Sequence, residues 1–304
     1  MTSSRFIIAE HVAAALAAGR PVVALETTLV THGLPQPHGL RVARGLEAAV
    51  REAGATPATI GILAGRVHVG LDARGIETLA ASNAVKVNPG NLAAVVAAGI
   101  AGSTTVAATA WAAARAGIRV FATGGIGGVH RGATETGDVS ADLAALARHP
   151  VAVVCAGAKA ILDLPRTREA LETLGVPVLG LGTNEFPAFY RRSSGLAVDA
   201  RCDSPAEAAA AIEAHIALGL PGGILVANPI PGEHELPSDL HDQALATALA
   251  DAEVAGVRGR AVTPFLLERM RLLTGEASLR ANEALLVSNA CIAAQIAVAL
   301  TTLR

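Results

Sequence analysis

The chain has 304 residues, 52% of them hydrophobic, 16% charged and 2% aromatic, with a formal net charge of −2. That length holds one large α/β domain or two modest ones with a sizeable core, while the charge and aromatic content leave neither an electrostatic footprint nor a stacking platform for nucleic acid. No membrane segment is expected, because the apolar mass is mostly Ala and Val broken by Gly, Thr or a charge, and the C-terminal run after Asn289 is interrupted by Gln295, short of the roughly 20 apolar residues of a span.

In chain order, Arg5 interrupts the N-terminus before a signal-peptide core can form, so a cytoplasmic location is expected. The first strand is predicted at Val22–Leu25 and ends in Glu26, followed by Thr27-Thr28-Leu29-Val30-Thr31-His32-Gly33. A carboxylate at the end of an apolar strand can have the raised pKa that general acid work needs; it can equally be a structural partner for an arginine. Strands follow at 59–63 and 67–69, then at Val85–Val87, which carries Lys86 just before the turn Asn88-Pro89-Gly90-Asn91.

Further strands are predicted at 104–107 and 120–123, the second running through Thr123 directly into Gly124-Gly125-Ile126-Gly127-Gly128-Val129-His130-Arg131-Gly132. Such a segment can cradle a phosphate, with His130 and Arg131 as donors, or be an ordinary flexible turn, since it fits neither G-x-G-x-x-G nor the P-loop pattern. Asp138 and Asp142 lie four apart at a predicted helix entry. They either cap and complement that helix or help hold a hard divalent cation.

A strand at 151–155 leads through Ala156-Gly157-Ala158 to Lys159, and strands at 176–179 and Ile224–Ala227 follow. Between these last two, Ser204-Pro205-Ala206-Glu207 reads as a capping box opening a helix that ends near Gly219. After Asn228-Pro229-Ile230-Pro231 the sequence turns mainly helical. With no repeat, linker or composition break, the expected architecture is α/β: one α/β/α layered domain over 1–304 with a central mixed or mostly parallel sheet. Cys155, Cys202 and Cys291 are an odd, widely spaced set, read as reduced thiols, and the histidines have no zinc spacing.

The cations are lopsided: 22 arginines but two lysines, Lys86 and Lys159. Where solvated positive charge drifts to Arg, a retained Lys marks a place that needs an amine, because Arg cannot be deprotonated or form a Schiff base; chance retention is the alternative. Lys86 is expected in a strand or at its end, just before a turn, and Lys159 four residues past a strand, the region where α/β sheets bind their ligands.

Ala24-Leu25-Glu26-Thr27-Thr28 with Thr31-His32-Gly33-Leu34-Pro35, the Phe121 to Gly132 segment, Asp138-Val139-Ser140-Ala141-Asp142-Leu143, Val153-Val154-Cys155-Ala156-Gly157-Ala158-Lys159, Phe186-Pro187-Ala188-Phe189, Ala227-Asn228-Pro229-Ile230-Pro231 and Thr263-Pro264-Phe265-Leu266-Leu267 together closely resemble the pseudouridine-5′-phosphate glycosidase family, in order along nearly the whole chain. The resemblance implies a homotrimer, a manganese (or magnesium) ion and no organic cofactor. It also implies reversible cleavage of the C–C glycosidic bond of pseudouridine 5′-phosphate to ribose 5-phosphate and uracil. By matching position, Lys159 is the Schiff-base amine, Glu26 the proton donor, Lys86 a substrate-contacting lysine and Asp138 the metal ligand; Val106 and Ser140, Ala141 and Asp142 are substrate contacts, and Asn289 a nucleobase contact. Thr123 and His130 complete the expected substrate-binding set.

A C-glycoside has no leaving heteroatom to protonate, so the usual pair of carboxylates does not serve. A neutral lysine adding at C1 instead makes an iminium electron sink. Three departures from the family pattern stand out: Val87-Asn88-Pro89-Gly90-Asn91-Leu92 after Lys86, Ser288 before Asn289, and Ala110 where the family has Met. Read as changes around the aglycone, they favour a C-glycosynthase that joins C1 of ribose 5-phosphate to an aromatic, polyketide-like natural-product carbon in antibiotic biosynthesis, similar to the alnumycin-type C-ribosyl synthase. The alternatives are the degradative glycosidase itself, with uracil as aglycone, a non-catalytic sugar-phosphate binding protein, and an ordinary class I aldolase.

Overall fold

Short β-branched runs separated by Ala-rich helices build a single sheet in the computed structural model, which describes residues 5–259 and 262–303. The strands are β1 (Phe6–Ile8), β2 (Val22–Leu25), β3 (Thr56–Leu63), β4 (Arg66–Val69), β5 (Val85–Val87), β6 (Gly102–Thr104), β7 (Val120–Ala122), β8 (Ala152–Cys155), β9 (Val178–Leu181), β10 (Ala200–Cys202) and β11 (Ile224–Ala227). Their spatial order is β1-β4-β3-β2-β7-β8-β11-β9-β10, with β6 also on β3 and β5 on β6. All pairings are parallel except β3 with β4 and β3 with β6. The fold is therefore α/β with a mostly parallel sheet between helical layers, and its central strands are buried along their whole length, as two covered faces require.

Local chemistry explains most boundaries. Asp72, Asn88, Thr105, Ser140, Asp163 and Ser204 each accept a hydrogen bond from a first-turn N–H of the helix they precede. The strand predicted at 104–107 is corrected by one of these caps. Thr105 starts the helix Val106–Ala116, so the strand stops at Thr104. At Ser204 the cap forms, but Glu207 reaches back to the Asp203 N–H at 2.9 Å. β1 escaped prediction because three residues carry too little periodicity; it is held in part by Phe6, whose ring meets Trp111 edge-on at 5.8 Å.

The C-terminal helix Ala277–Thr302 decides how the sheet is covered. It has 26 residues and is long and apolar enough to cross a membrane by length and composition, beginning well before the run considered from sequence. Its apolar residues instead pack on β2, β7 and β8 and on helices His38–Glu52 and Pro205–Ala217. It is a core helix, with Ala281, Leu285, Ala290, Ala293, Ile296 and Ala297 buried. Small Ala side chains let it lie close to the strand ends, which matters for the site.

Candidate active site

β2, β7 and β8 are adjacent and parallel, so the residues that follow them emerge at one end of the sheet. A cavity of about 460 Å³ lies there. Glu26, Lys86, Val106, Thr123, His130, Asp138, Ser140, Ala141, Asp142 and Lys159 all line it, although they come from segments far apart in sequence.

Glu26 is the first residue past β2, and the hydroxyls of Thr27 and Thr28 fix the chain beyond it by donating to Ile60 O at 2.7 Å and Thr104 O at 2.8 Å. Its carboxylate is buried and accepts a hydrogen bond from the Thr123 hydroxyl. Burial raises its pKa above the ordinary carboxylate value; the Lys159 charge, the Thr123 hydroxyl and Lys86 pull the other way without cancelling it, and Asp142 adds to the rise. Glu26 can thus keep a proton where a surface carboxyl cannot.

Lys86 sits at the centre of β5, opposite Ser103 of β6. Burial lowers its pKa, and so does the Lys159 charge, with Asp142 and Glu26 opposing. Its amine is thereby brought closer to the neutral form. Lys159 follows β8 through a turn fixed by backbone hydrogen bonds. Its N–H donates to Ile126 O at 3.1 Å, and Ile126 N–H donates to Gly157 O at 3.0 Å. Gly157 has φ +77°, and a Cβ there would stand 1.9 Å from Pro187 O, so only glycine allows this approach.

Part of the Gly-rich segment is used for close packing, a role that is neither a phosphate cradle nor a flexible turn, while Gly124, Gly125, Gly127 and His130 line the cavity. The amides of Ile126, Gly127 and Val129 are taken up by Gly157 O, Asp142 Oδ2 and Thr167 Oγ1. A Cβ on Gly127 or Gly128 would fall 2.3 Å from Ser140 Oγ or 2.4 Å from Thr167 Oγ1. Asp142, likewise, is a buried connector: Oδ1 accepts from Ala107 N at 2.9 Å and Oδ2 from Gly127 N at 2.8 Å. His130 has its pKa lowered by burial against the pull of Asp138, with Lys159 and Lys86 lowering it further. Among the described residues, no three His, Cys, Asp or Glu side chains form a metal-binding group. Of the cavity's three carboxylates, Glu26 and Asp142 already accept hydrogen bonds from protein, whereas the Asp138 side chain accepts none among the described residues. That donor set suits a hydrated hard cation held by one carboxylate.

Asn289 corrects an expectation. It is 0% exposed and lies outside the cavity lining, with Nδ2 donating to Thr123 O at 2.8 Å and Oδ1 accepting from Asn228 Nδ2 at 2.9 Å. Two helical turns earlier on the same face, Asn282 lines the cavity, and Leu286 does too. Ala110 and Ser288, read as aglycone-pocket changes, are also behind the wall: Ala110 is buried in its helix, and Ser288 Oγ accepts from Asn228 Nδ2 at 3.0 Å. Only the Asn88, Gly90 and Asn91 departure faces the cavity, where Asn88 and Asn91 form a reciprocal helix cap. The sequence assigns no role to His32, although it lies in one of the family-like segments. It lines the cavity, with Nδ1 bonded to Thr31 Oγ1 at 2.6 Å and its pKa lowered by burial and by Lys86.

Two amines and a buried carboxyl facing one cavity, at the end of a parallel sheet, are the fold and site of an α/β enzyme. A family model described as Indigoidine synthase A like protein matches residues 11–299, and the chain belongs to that family. The chain is 60% identical over 294 residues to a pseudouridine-5′-phosphate glycosidase of Rhodospirillum centenum, covering 97% of this chain and 92% of that one. To the pseudouridine-5′-phosphate glycosidase of Methylobacterium nodulans it is 57% identical over 293 residues, covering 96% and 87%. Among solved structures, the prealnumycin C-glycosynthase AlnA in complex with ribulose 5-phosphate superposes with a TM-score of 0.91 at 39% identity, covering 99% of this chain and 98% of that one. An indigoidine synthase A-like protein of Thermotoga maritima superposes at 0.86, also at 39% identity, covering 93% and 94%.

Proposed function

We propose that this enzyme reversibly cleaves pseudouridine 5′-phosphate to uracil and ribose 5-phosphate. The observation that carries the reading is the meeting of Lys86, Lys159 and a protonatable Glu26 in one cavity. It is supported by identities of 60% and 57% to glycosidases of that name, against 39% to the C-glycosynthase. The preference for a natural-product C-glycosynthase drawn from sequence gives way, because two of the three departures behind it, Ala110 and Ser288, lie outside the cavity lining.

The Lys159 lone pair forms a bond to C1 as the bond from C1 to the ring oxygen breaks, and the ammonium so formed passes a proton to that oxygen, which restores the nitrogen lone pair. Glu26 then gives its proton to C5 of uracil. The C1–C5 bond breaks with its electron pair remaining on uracil, and the nitrogen lone pair completes an iminium, which water hydrolyses to ribose 5-phosphate and free amine. Lys86 faces the same cavity and contacts the substrate beside Lys159. Ser140, Ala141, Val106 and His130 hold the sugar phosphate, and Asn282 and His32 face the aglycone.

Asp138 would hold the manganese or magnesium ion, whose positive charge would offset that of the phosphate. A homotrimer goes with the reading, and sedimentation velocity tests it. The decisive experiment incubates the protein with manganese and pseudouridine 5′-phosphate and follows uracil release. Borohydride trapping with ribose 5-phosphate then reads the adduct by mass. Sugar uptake at Lys159 without uracil release would refute the uracil assignment while leaving the amine chemistry standing.

A further inference from the structure

Four strand ends are tied together behind the cavity. Glu26 follows β2, Thr123 follows β7 and Asn228 follows β11, while the amide nitrogen of Ala156, just past β8, donates to Gly124 O at 2.9 Å. Asn289 of the core helix joins the outer members: Nδ2 donates to Thr123 O at 2.8 Å and to Gly124 O at 3.4 Å, and Oδ1 accepts from Asn228 Nδ2 at 2.9 Å. The remaining hydrogen of that Asn228 amide reaches Ser288 Oγ at 3.0 Å. Thr123 N–H is itself bonded to Val154 O at 3.0 Å. Its backbone is therefore held on both sides, and its hydroxyl points at one acceptor, Glu26 Oε1.

A glutamate just past a strand end has three side-chain torsions, and nothing in its own backbone selects the one that aims a proton into the cavity. We propose that Thr123 is the positioning residue for Glu26, and that the buried Asn228–Asn289 pair holds Thr123 in the place from which it does so. A hydroxyl that donates to Oε1 requires that oxygen to be an acceptor. With Oε1 engaged as the acceptor, the transferable proton is assigned to Oε2, which has no hydrogen-bond partner among the described residues. Full burial makes this arrangement strict: Asn289 and Thr123 are 0% and 1% exposed, so an amide turned the wrong way would leave a donor facing a donor with no water to relieve it. The network also assigns Ser288 and Asn289 a function as the scaffold of the acid. It rests on the proposed reaction only in taking Glu26 as the group that protonates the aglycone carbon.

The test compares Thr123→Val, which keeps shape and loses the hydroxyl, with Thr123→Ser, which restores it, and with Asn289→Ala. Difference infrared titration of the Glu26 carboxyl, assigned with Glu26→Gln, is followed alongside the pH profile of uracil release. Thr123→Val removes a donor that favours the ionised form, so the Glu26 midpoint rises by about one pH unit, the size of one hydrogen bond to a charged group. kcat falls about tenfold with KM little changed, and the alkaline limb of the profile moves up. Thr123→Ser returns both values, and Asn289→Ala shifts them in the Thr123→Val direction. An unmoved carboxyl midpoint in Thr123→Val, or a Thr123→Ser that behaves like it, overturns the proposal. If the unaltered protein releases no uracil, the reaction assignment falls, and the infrared titration still decides the role of Thr123.

Discussion

Asp138 and Asp142 both line the cavity, four residues apart, and the structure predicts opposite consequences for removing their charges. Asp142 joins three pieces: its oxygens accept from Ala107 N at 2.9 Å, at the start of Val106–Ala116, and from Gly127 N at 2.8 Å, while its own backbone lies in the first turn of Ala141–Arg148. Asparagine in its place keeps one acceptor oxygen and turns an NH₂ toward the other amide. One charge-assisted bond becomes neutral and one buried N–H loses its partner, together costing about 3 kcal/mol. With a urea m-value of about 3 kcal/mol/M for a chain of this size, the unfolding midpoint of Asp142→Asn drops by about 1 M. Asp138→Asn breaks no such bond, and its midpoint moves by less than about 0.2 M, a surface-like change. Activity and Mn²⁺ binding, followed by calorimetric titration, are lost instead. Equal midpoints for Asp142→Asn and the unaltered protein would refute the connector role, and a manganese affinity unchanged in Asp138→Asn would refute the ligand assignment.

Three further outcomes are expected. Gly157→Ala places a Cβ 1.9 Å from Pro187 O at φ +77°; it lowers stability by at least about 3 kcal/mol through strain and overlap, read by thermal unfolding, and weakens sugar trapping because it moves the turn bearing Lys159. Lys159→Arg keeps the charge and abolishes the borohydride-trapped adduct, whereas Lys86→Met leaves an adduct detectable by mass and slows its formation. Glu26 has a folded pKa above its unfolded value, so its contribution to stability is fully present below the unfolded value and is lost as pH rises through the folded one. Glu26→Gln is therefore more stable than the unaltered protein at neutral pH, with the difference vanishing near pH 4 in denaturant titrations; a difference independent of pH would show that burial does not perturb this carboxyl.

Much of the fold was legible in sequence because it rests on local signals. Apolar runs such as Val22–Leu25 and Ile224–Ala227 match the observed strands in their bounds, since a doubly covered strand needs an unbroken apolar stretch. Boundaries failed where a cap competed with β-propensity, as at Thr105, and where an element was too short to show a period, as at Phe6–Ile8. The rarity of lysine pointed to Lys86 and Lys159 because amine chemistry restricts residue type, and both line the same cavity.

Side-chain direction was not legible. Asn282 and Asn289 lie seven apart on one helix, and sequence spacing gives them the same face. Only the approach of that helix to the strand ends determines that Asn282 reaches the cavity while Asn289 is enclosed against Thr123 O. The same holds for Ala110 and Ser288, whose departures from the family pattern looked like substrate contacts until the wall of the cavity was known, and for the glycines after β7, whose missing side chains make room for Ser140 and Thr167. The sequence by itself determined the class of chemistry, because that depends on which functional groups exist: an amine that can be neutral and a carboxyl that can hold a proton. The tertiary structure alone decided which groups meet, because contact between residues as distant as Glu26, Thr123 and Asn289 depends on parallel strand order and helix packing.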